Sequence, residues 1–185
     1  TESNNWALKG YLDANPRAGK RIIISAIEHP SVSETAAFLT KSGYTVTTLP
    51  VNNKGIVDID ALKEAVTPDT AIVSVMHVNS ETGAVQPIKE IVQAAKSINP
   101  NVAVHSDCVQ SYGKIPVNVK AFGVDMISVS AHKIHGPRGV GFLYVKEGVR
   151  ISPLLSGGGQ EKSLRSGTEN WPGIAGFAKI AKRAC

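Results

Sequence analysis

The chain has 185 residues, 42% of them hydrophobic, 19% charged and 5% aromatic, with a formal net charge of +5. This balance fits one globular domain with a full core and excludes a disordered or membrane-spanning chain, because no apolar run approaches the roughly 20 residues that cross a bilayer. Basic residues are spread singly and stacking rings are few, which argues against nucleic acid as a partner. The two cysteines, Cys108 and Cys185, exclude a disulfide framework and a four-cysteine zinc site, and a reducing cytoplasm is the expected compartment. Thr1 is preceded by no methionine and no leader, so the chain reads as a piece of a longer protein.

From Thr1 the sequence Thr1-Glu2-Ser3-Asn4-Asn5-Trp6-Ala7-Leu8 predicts a helix capped by Thr1. That hydroxyl is either a plain cap or, with the free amides of a helix start, a phosphate donor. A β-branched run at 22–29 reads as a buried strand of a parallel sheet and ends in His29, a ligand-facing group or an ordinary boundary histidine. Ser31-Val32-Ser33-Glu34 has the pattern of a capping box, opening a helix that runs toward Gly43. A strand at 45–49, a helix from Asp58 to Val66 and a buried strand at 71–76 follow. The last of these runs into His77-Val78-Asn79-Ser80-Glu81-Thr82-Gly83. Pro87 starts a helix over 88–98. The next strand, 102–105, ends in Ser106-Asp107-Cys108-Val109-Gln110.

A strand at 124–129 delivers Ser130-Ala131-His132-Lys133 just before the turn signal Gly136-Pro137. Lys133 is either a surface lysine in a basic loop or, if buried where strand gives way to loop, an amine suited to Schiff-base chemistry, since burial disfavours the ammonium form. One more strand is expected from Val140 to Val145. The glycine-rich stretch 157–170 is a tether or an anion-binding loop, and Trp171 to Cys185 predicts a last helix. Five strands separated mainly by helices give an α/β fold with a three-layer, mostly parallel sheet and crossover helices. Ligands bind such sheets at the carboxyl ends of the strands, where His29, Asn79, Asp107 with Gln110, and Ser130 to Lys133 all fall.

Taken together, Ser130-Ala131-His132-Lys133, Asp107-Cys108-Val109-Gln110, His77 to Gly83, Glu28-His29 and Arg165-Ser166-Gly167-Thr168 resemble, in order and spacing, the cysteine desulfurases. These are pyridoxal 5′-phosphate enzymes of class V aminotransferase fold, and the similarity is to their nitrogen-fixation and iron–sulfur-assembly branch. It implies that residues 1–185 are a single, partial large domain of the fold type I of pyridoxal-phosphate-dependent transferases. By this resemblance Lys133 carries the cofactor, Asp107 pairs with the pyridinium nitrogen, and His29 stacks on the ring and moves protons. Gln110 and Asn79 are implied as further cofactor contacts. Thr1, Ser130 and His132 form the phosphate cradle, and Thr168 reaches a phosphate across a homodimer interface. The substrate implied is L-cysteine, converted to L-alanine, with sulfur passed as a persulfide to an iron–sulfur scaffold or another acceptor.

The family's sulfur-accepting cysteine and its small carboxy-terminal domain fall outside this chain, so full turnover is not expected of it. Cys108 is expected to pack under the cofactor and Cys185 to be incidental. Three rivals stay open. One is another class V enzyme, a selenocysteine lyase or an aminotransferase. The second is a metal hydrolase on His105, Asp107, His132 and His135, although His-x-Asp and His-x-x-His are short patterns without a supporting ligand cluster. The third is a piece that works only as a structural or binding module, with exposed apolar surface that makes it self-associate.

Overall fold

The computed structural model describes residues 1–184; Cys185 lies outside the described residues. A six-stranded sheet in the order β2-β1-β3-β4-β5-β6 is built from β1 (Arg21–Ser25), β2 (Thr45–Leu49), β3 (Thr70–Ser74), β4 (Ala103–Asp107), β5 (Met126–Ser130) and β6 (Gly141–Val145). The first five strands are parallel to their neighbours, and β6 runs antiparallel to β5. The predicted strand at 22–29 is shorter than expected, because the chain turns after Ser25 and puts Glu28 and His29 beyond the ladder.

Strands buried on both faces must be apolar at successive positions, as Ile22-Ile23-Ile24 and Ala71-Ile72-Val73 are. The period of two then splits the core in half. Ile23, Val73, Val104 and Ile127 point to one side, where α4 (Ile59–Ala65), α5 (Ile88–Ile98) and the last helix, Trp171–Ala184, cover them. Ile22, Ile24, Ile72, Ala103 and Met126 point to the other, against Leu8, Leu12, Val32 and Ala36. On that side lie α1 (Glu2–Asn5), a π turn (Trp6–Gly10), α2 (Tyr11–Ala14) and α3 (Pro30–Thr40). The result is three layers, helices on both faces of one sheet.

The capping-box expectation is corrected. The residue that caps α3 is His29, whose Nδ1 accepts the Ser31 N–H at 3.0 Å with Pro30 at the first helical position. Pro30 has no N–H to cap and its fixed φ suits a helix start, so the helix begins two residues earlier, at Pro30, and the cap moves from Ser31 to His29.

One glycine positions the whole β5 end. Gly141 pairs with Ser130, and a Cβ there would stand 2.4 Å from the Val129 carbonyl oxygen. Gly141→Ala is therefore expected to destabilise the fold by about 2–3 kcal/mol, since the obstacle is backbone that cannot swing away. Urea unfolding of variant and wild type measures it, and a loss under about 0.5 kcal/mol would contradict the close approach.

Candidate functional site

The site lies at the carboxyl edge of the sheet, where the turns after β1, β3, β4 and β5 gather. Its centre is Asp107, the last residue of β4, 5% exposed. Asn4 Nδ2 donates to Asp107 Oδ2 at 2.6 Å, and the Val109 N–H donates to Oδ1 at 2.9 Å. The same Asn4 amide donates to Ser31 Oγ at 2.8 Å, and Ser31 Oγ lies 2.8 Å from His29 Nδ1. A string therefore runs from β4 through α1 to α3 and ends on His29. Because Nδ1 accepts the Ser31 N–H, the neutral imidazole carries its hydrogen on Nε2.

Under Asp107 lies a second polar row. His105, fully buried two residues earlier on the same strand, has Nδ1 2.9 Å from Ser74 Oγ on β3 and Nε2 2.9 Å from Ser128 Oγ on β5. Burial pulls its pKa down to about 4 against the opposing attraction of Asp107, so the ring is neutral at pH 7. With both nitrogens engaged it is not free to ligate a metal. Among the described residues no group of three or more His, Cys, Asp or Glu side chains could hold a metal ion.

Asn79 is buried beyond β3, and its bonds hold the loop. Its Oδ1 accepts from the N–H groups of Glu81 and Thr82 and from Thr82 Oγ1, while Nδ2 donates to the Ile27 carbonyl at 3.0 Å. Gln110, half-buried, accepts from Lys114 Nζ at 3.0 Å. Cys108 is fully buried and its thiol is pushed up to about 12 by burial, which leaves it an inert packing group.

Lys133 departs from the expectation of burial. It sits on a 3₁₀ turn, Ala131–Ile134, in which Ala131 and Ile134 go into the core while His132 and Lys133 are exposed. Three residues per turn place positions i and i+3 on one side, so the pair between them is turned out. Ser130 Oγ lies 2.9 Å from His132 Nδ1.

A cavity of about 830 Å³ opens beside this edge, and Thr1, Ser130, His132 and Thr168 all line it. These are the four residues that the resemblance assigns to phosphate. Thr168, which the resemblance places at a dimer interface, also lines the cavity of its own chain, and in the same loop Arg165 donates to Glu2 Oε1 at 2.9 Å. That bond holds the Glu2 carboxyl below its ordinary range. Val109, which contacts Asp107 through its N–H, also lines the cavity. His29, Asn79, Asp107, Gln110 and Lys133 are not among its described walls.

The donor set suits a phosphorylated cation. Five hydroxyls, those of Thr1, Ser3, Ser128, Ser130 and Thr168, line the cavity with the His132 imidazole, Arg165 and three glutamates, and Asp107 is a buried acid that no cationic side chain pairs with among the described residues. A buried carboxylate is stabilised by a cation, and a protonated pyridine supplies one.

Asn4 and Ser31 are site residues that the motifs did not single out, Glu28 was quoted only as part of the Glu28-His29 motif, and His105 only as a metal-ligand candidate. A signal for Asn4 existed: it stands three, four and seven residues before Ala7, Leu8 and Tyr11, on the stripe that faces the sheet. A polar residue on that stripe needs a buried partner.

The family model for class-V aminotransferases matches residues 1–183. The chain is 49% identical over 182 residues to cysteine desulfurase IscS 1 of Archaeoglobus fulgidus, covering 98% of this chain and 47% of that protein. It is 48% identical over 184 residues to cysteine desulfurase IscS of Dictyoglomus turgidum, covering 100% and 46%. Among solved structures, a NifS-like protein superposes with a TM-score of 0.96 at 44% identity, over 99% of this chain and 50% of its own. SspA in complex with cysteine superposes with a TM-score of 0.92 at 38% identity, over 98% and 52%. The chain thus spans about half the length of the curated relatives it matches.

Proposed function

The chain belongs to the class-V aminotransferase family, and from that premise we propose that it is the cofactor-binding part of a pyridoxal 5′-phosphate-dependent cysteine desulfurase. The observation that carries this is Asp107, a buried acid without a cation, set above the neutral His105 and beside a cavity lined by hydroxyls. The names of the most similar relatives and the cysteine held by SspA support L-cysteine as substrate. In the reaction the carbon–sulfur bond of L-cysteine breaks, the α-amino acid leaves as L-alanine, and an enzyme thiol becomes a persulfide that passes its outer sulfur to an iron–sulfur scaffold or another acceptor. Cys108 is too buried and too weakly acidic to be that thiol. A homodimer in the cytoplasm completes the proposal. Trp171, 67% exposed at the start of the last helix, offers apolar surface to a second copy.

Pyridoxal phosphate, when bound, supplies an electron sink for charge developing at the substrate's α-carbon. Thr1, Ser130, His132 and Thr168 would hold its phosphate, Asp107 its ring nitrogen, Gln110 its phenolic oxygen and Lys133 its aldehyde carbon, with Asn79 a further contact. Asp107, its two oxygens held by the Asn4 amide and the Val109 N–H, would meet the ring nitrogen. His29, its Nδ1 occupied by the Ser31 N–H, would stack on the ring with Nε2–H left as its donor.

The test is direct. Pyridoxal phosphate added to the purified chain is expected to give a new visible band, and borohydride reduction should leave the cofactor's mass on Lys133, read by peptide mass spectrometry. Lys133→Ala should abolish both. Label scattered over surface lysines in the wild type would defeat the assignment.

A further inference from the structure

Glu28 precedes His29 in the turn after β1, where a glutamate is ordinarily solvated, yet here its carboxyl points inward. Oε1 accepts from Ser25 Oγ and, at 2.7 Å, from the Met76 N–H, while Oε2 is buried without a partner. The β1–β3 ladder ends at Ile24 and Ser74, so the Met76 N–H has run out of strand to bond. Glu28 takes the place of the next rung. From the other side Asn79 holds the Ile27 carbonyl of the same turn.

We propose that Glu28 is a positioning residue of the site: it locks the turn after β1 to the end of β3 and so fixes the imidazole of His29 in its capping, Nε2–H form. Burial and, to a smaller degree, the charge of Asp107 push its carboxyl up to about 8. At neutral pH the side chain is a carboxylic acid with its proton on Oε2, since Oε1 already accepts twice. The functional importance of Glu28 rests on the role proposed for His29 above; its effect on the His29 ring does not.

The experiment follows the histidine ring ¹⁵N resonances of the chain without cofactor, which report the tautomer, and then titrates pyridoxal phosphate by absorbance. Glutamine has the shape and neutrality of the protonated acid, and its carbonyl can accept both bonds. Glu28→Gln is therefore expected to keep the Nε2–H form of His29 and to bind pyridoxal phosphate within about twofold of wild type. Glu28→Ala should mix the two tautomers and weaken binding by about tenfold or more, the usual reach of an outer partner that orients an inner group. If that variant does not fold, Ser25→Ala, which removes one of the two donors, should shift the ring signals in the same direction. Glu28→Gln behaving like Glu28→Ala, or a His29 ring unmoved in Glu28→Ala and Ser25→Ala, would overturn the proposal. A chain that takes up no cofactor while its His29 ring responds as described would sink the desulfurase assignment and leave Glu28 in its role.

Discussion

Replacing His105 with alanine is expected to cost the fold about 3–5 kcal/mol, the range for a large buried side chain lost together with its hydrogen bonds. The ring is fully buried and joins Ser74 on β3 to Ser128 on β5 at 2.9 Å on each side. Alanine leaves a hole between three central strands and two hydroxyls with nothing to bond. Replacing all three residues with apolar groups of similar volume is expected to recover much of the loss, because no polar group is then stranded. Urea unfolding measures both, and a cost under about 1 kcal/mol for the single change would mean that the row contributes little.

The pH profile of wild-type stability follows from the same row and from Glu28. His105 has its pKa lowered from 6.5 to about 4. Between those values the unfolded chain takes a proton that the folded one refuses, so stability is lost as pH falls through that window. Glu28 has its pKa raised from 4.5 to about 8. Between those values the folded chain keeps a proton that the unfolded one gives up, so stability is lost as pH rises. The slopes oppose each other from 4.5 to 6.5, and above 6.5 Glu28 acts alone, at up to about 1.4 kcal/mol per pH unit. Glu28→Gln should flatten the profile from pH 6.5 to 8, and His105→Ala should reduce the loss on the acid side, leaving the share of His77, whose pKa burial also lowers.

For the cysteine desulfurase proposed above, Asp107→Ala is expected to lower desulfuration of L-cysteine by the full-length protein by about a hundred- to a thousandfold, the scale for removing one preorganised electrostatic group from a site. The change also strips the acceptor from Asn4 and from the Val109 N–H. Alanine formation and sulfide released by a thiol reductant give the rate. A variant within tenfold of wild type would show that Asp107 is not the group that tunes the cofactor. Asp107→Asn separates charge from shape: with no negative charge to hold a ring proton, it should fall nearly as far.

The sheet was legible because it is written in local pattern. β-branched runs such as Ile22-Ile23-Ile24 and Ala71-Ile72-Val73 carry their burial in their composition, and turn residues between them mark the edge where ligands gather. The residues that the motifs placed at that edge are there, with Asp107 at the end of β4 and Ser130 at the end of β5. Local pattern reached less far at element boundaries. Competition between Pro30 and the Ser31 box was settled for His29 as cap, and the turn after Ser25 removed Glu28 and His29 from the predicted strand. Lys133 was expected to be buried from its place in the chain, but the 3₁₀ turn carries it outward.

The sequence by itself determined the α/β alternation, the strands and the edge on which the chemistry-bearing side chains fall, because hydrophobic period and turn propensity act over a few neighbouring residues. The tertiary structure alone decided that Asn4 holds Asp107 across 103 positions of chain. It also decided that His105 spans three strands, that Glu28 completes a ladder and that Thr168 meets Thr1 on one cavity. Contacts between residues so far apart depend on how whole helices seat on the sheet, and that packing is a property of the assembled core.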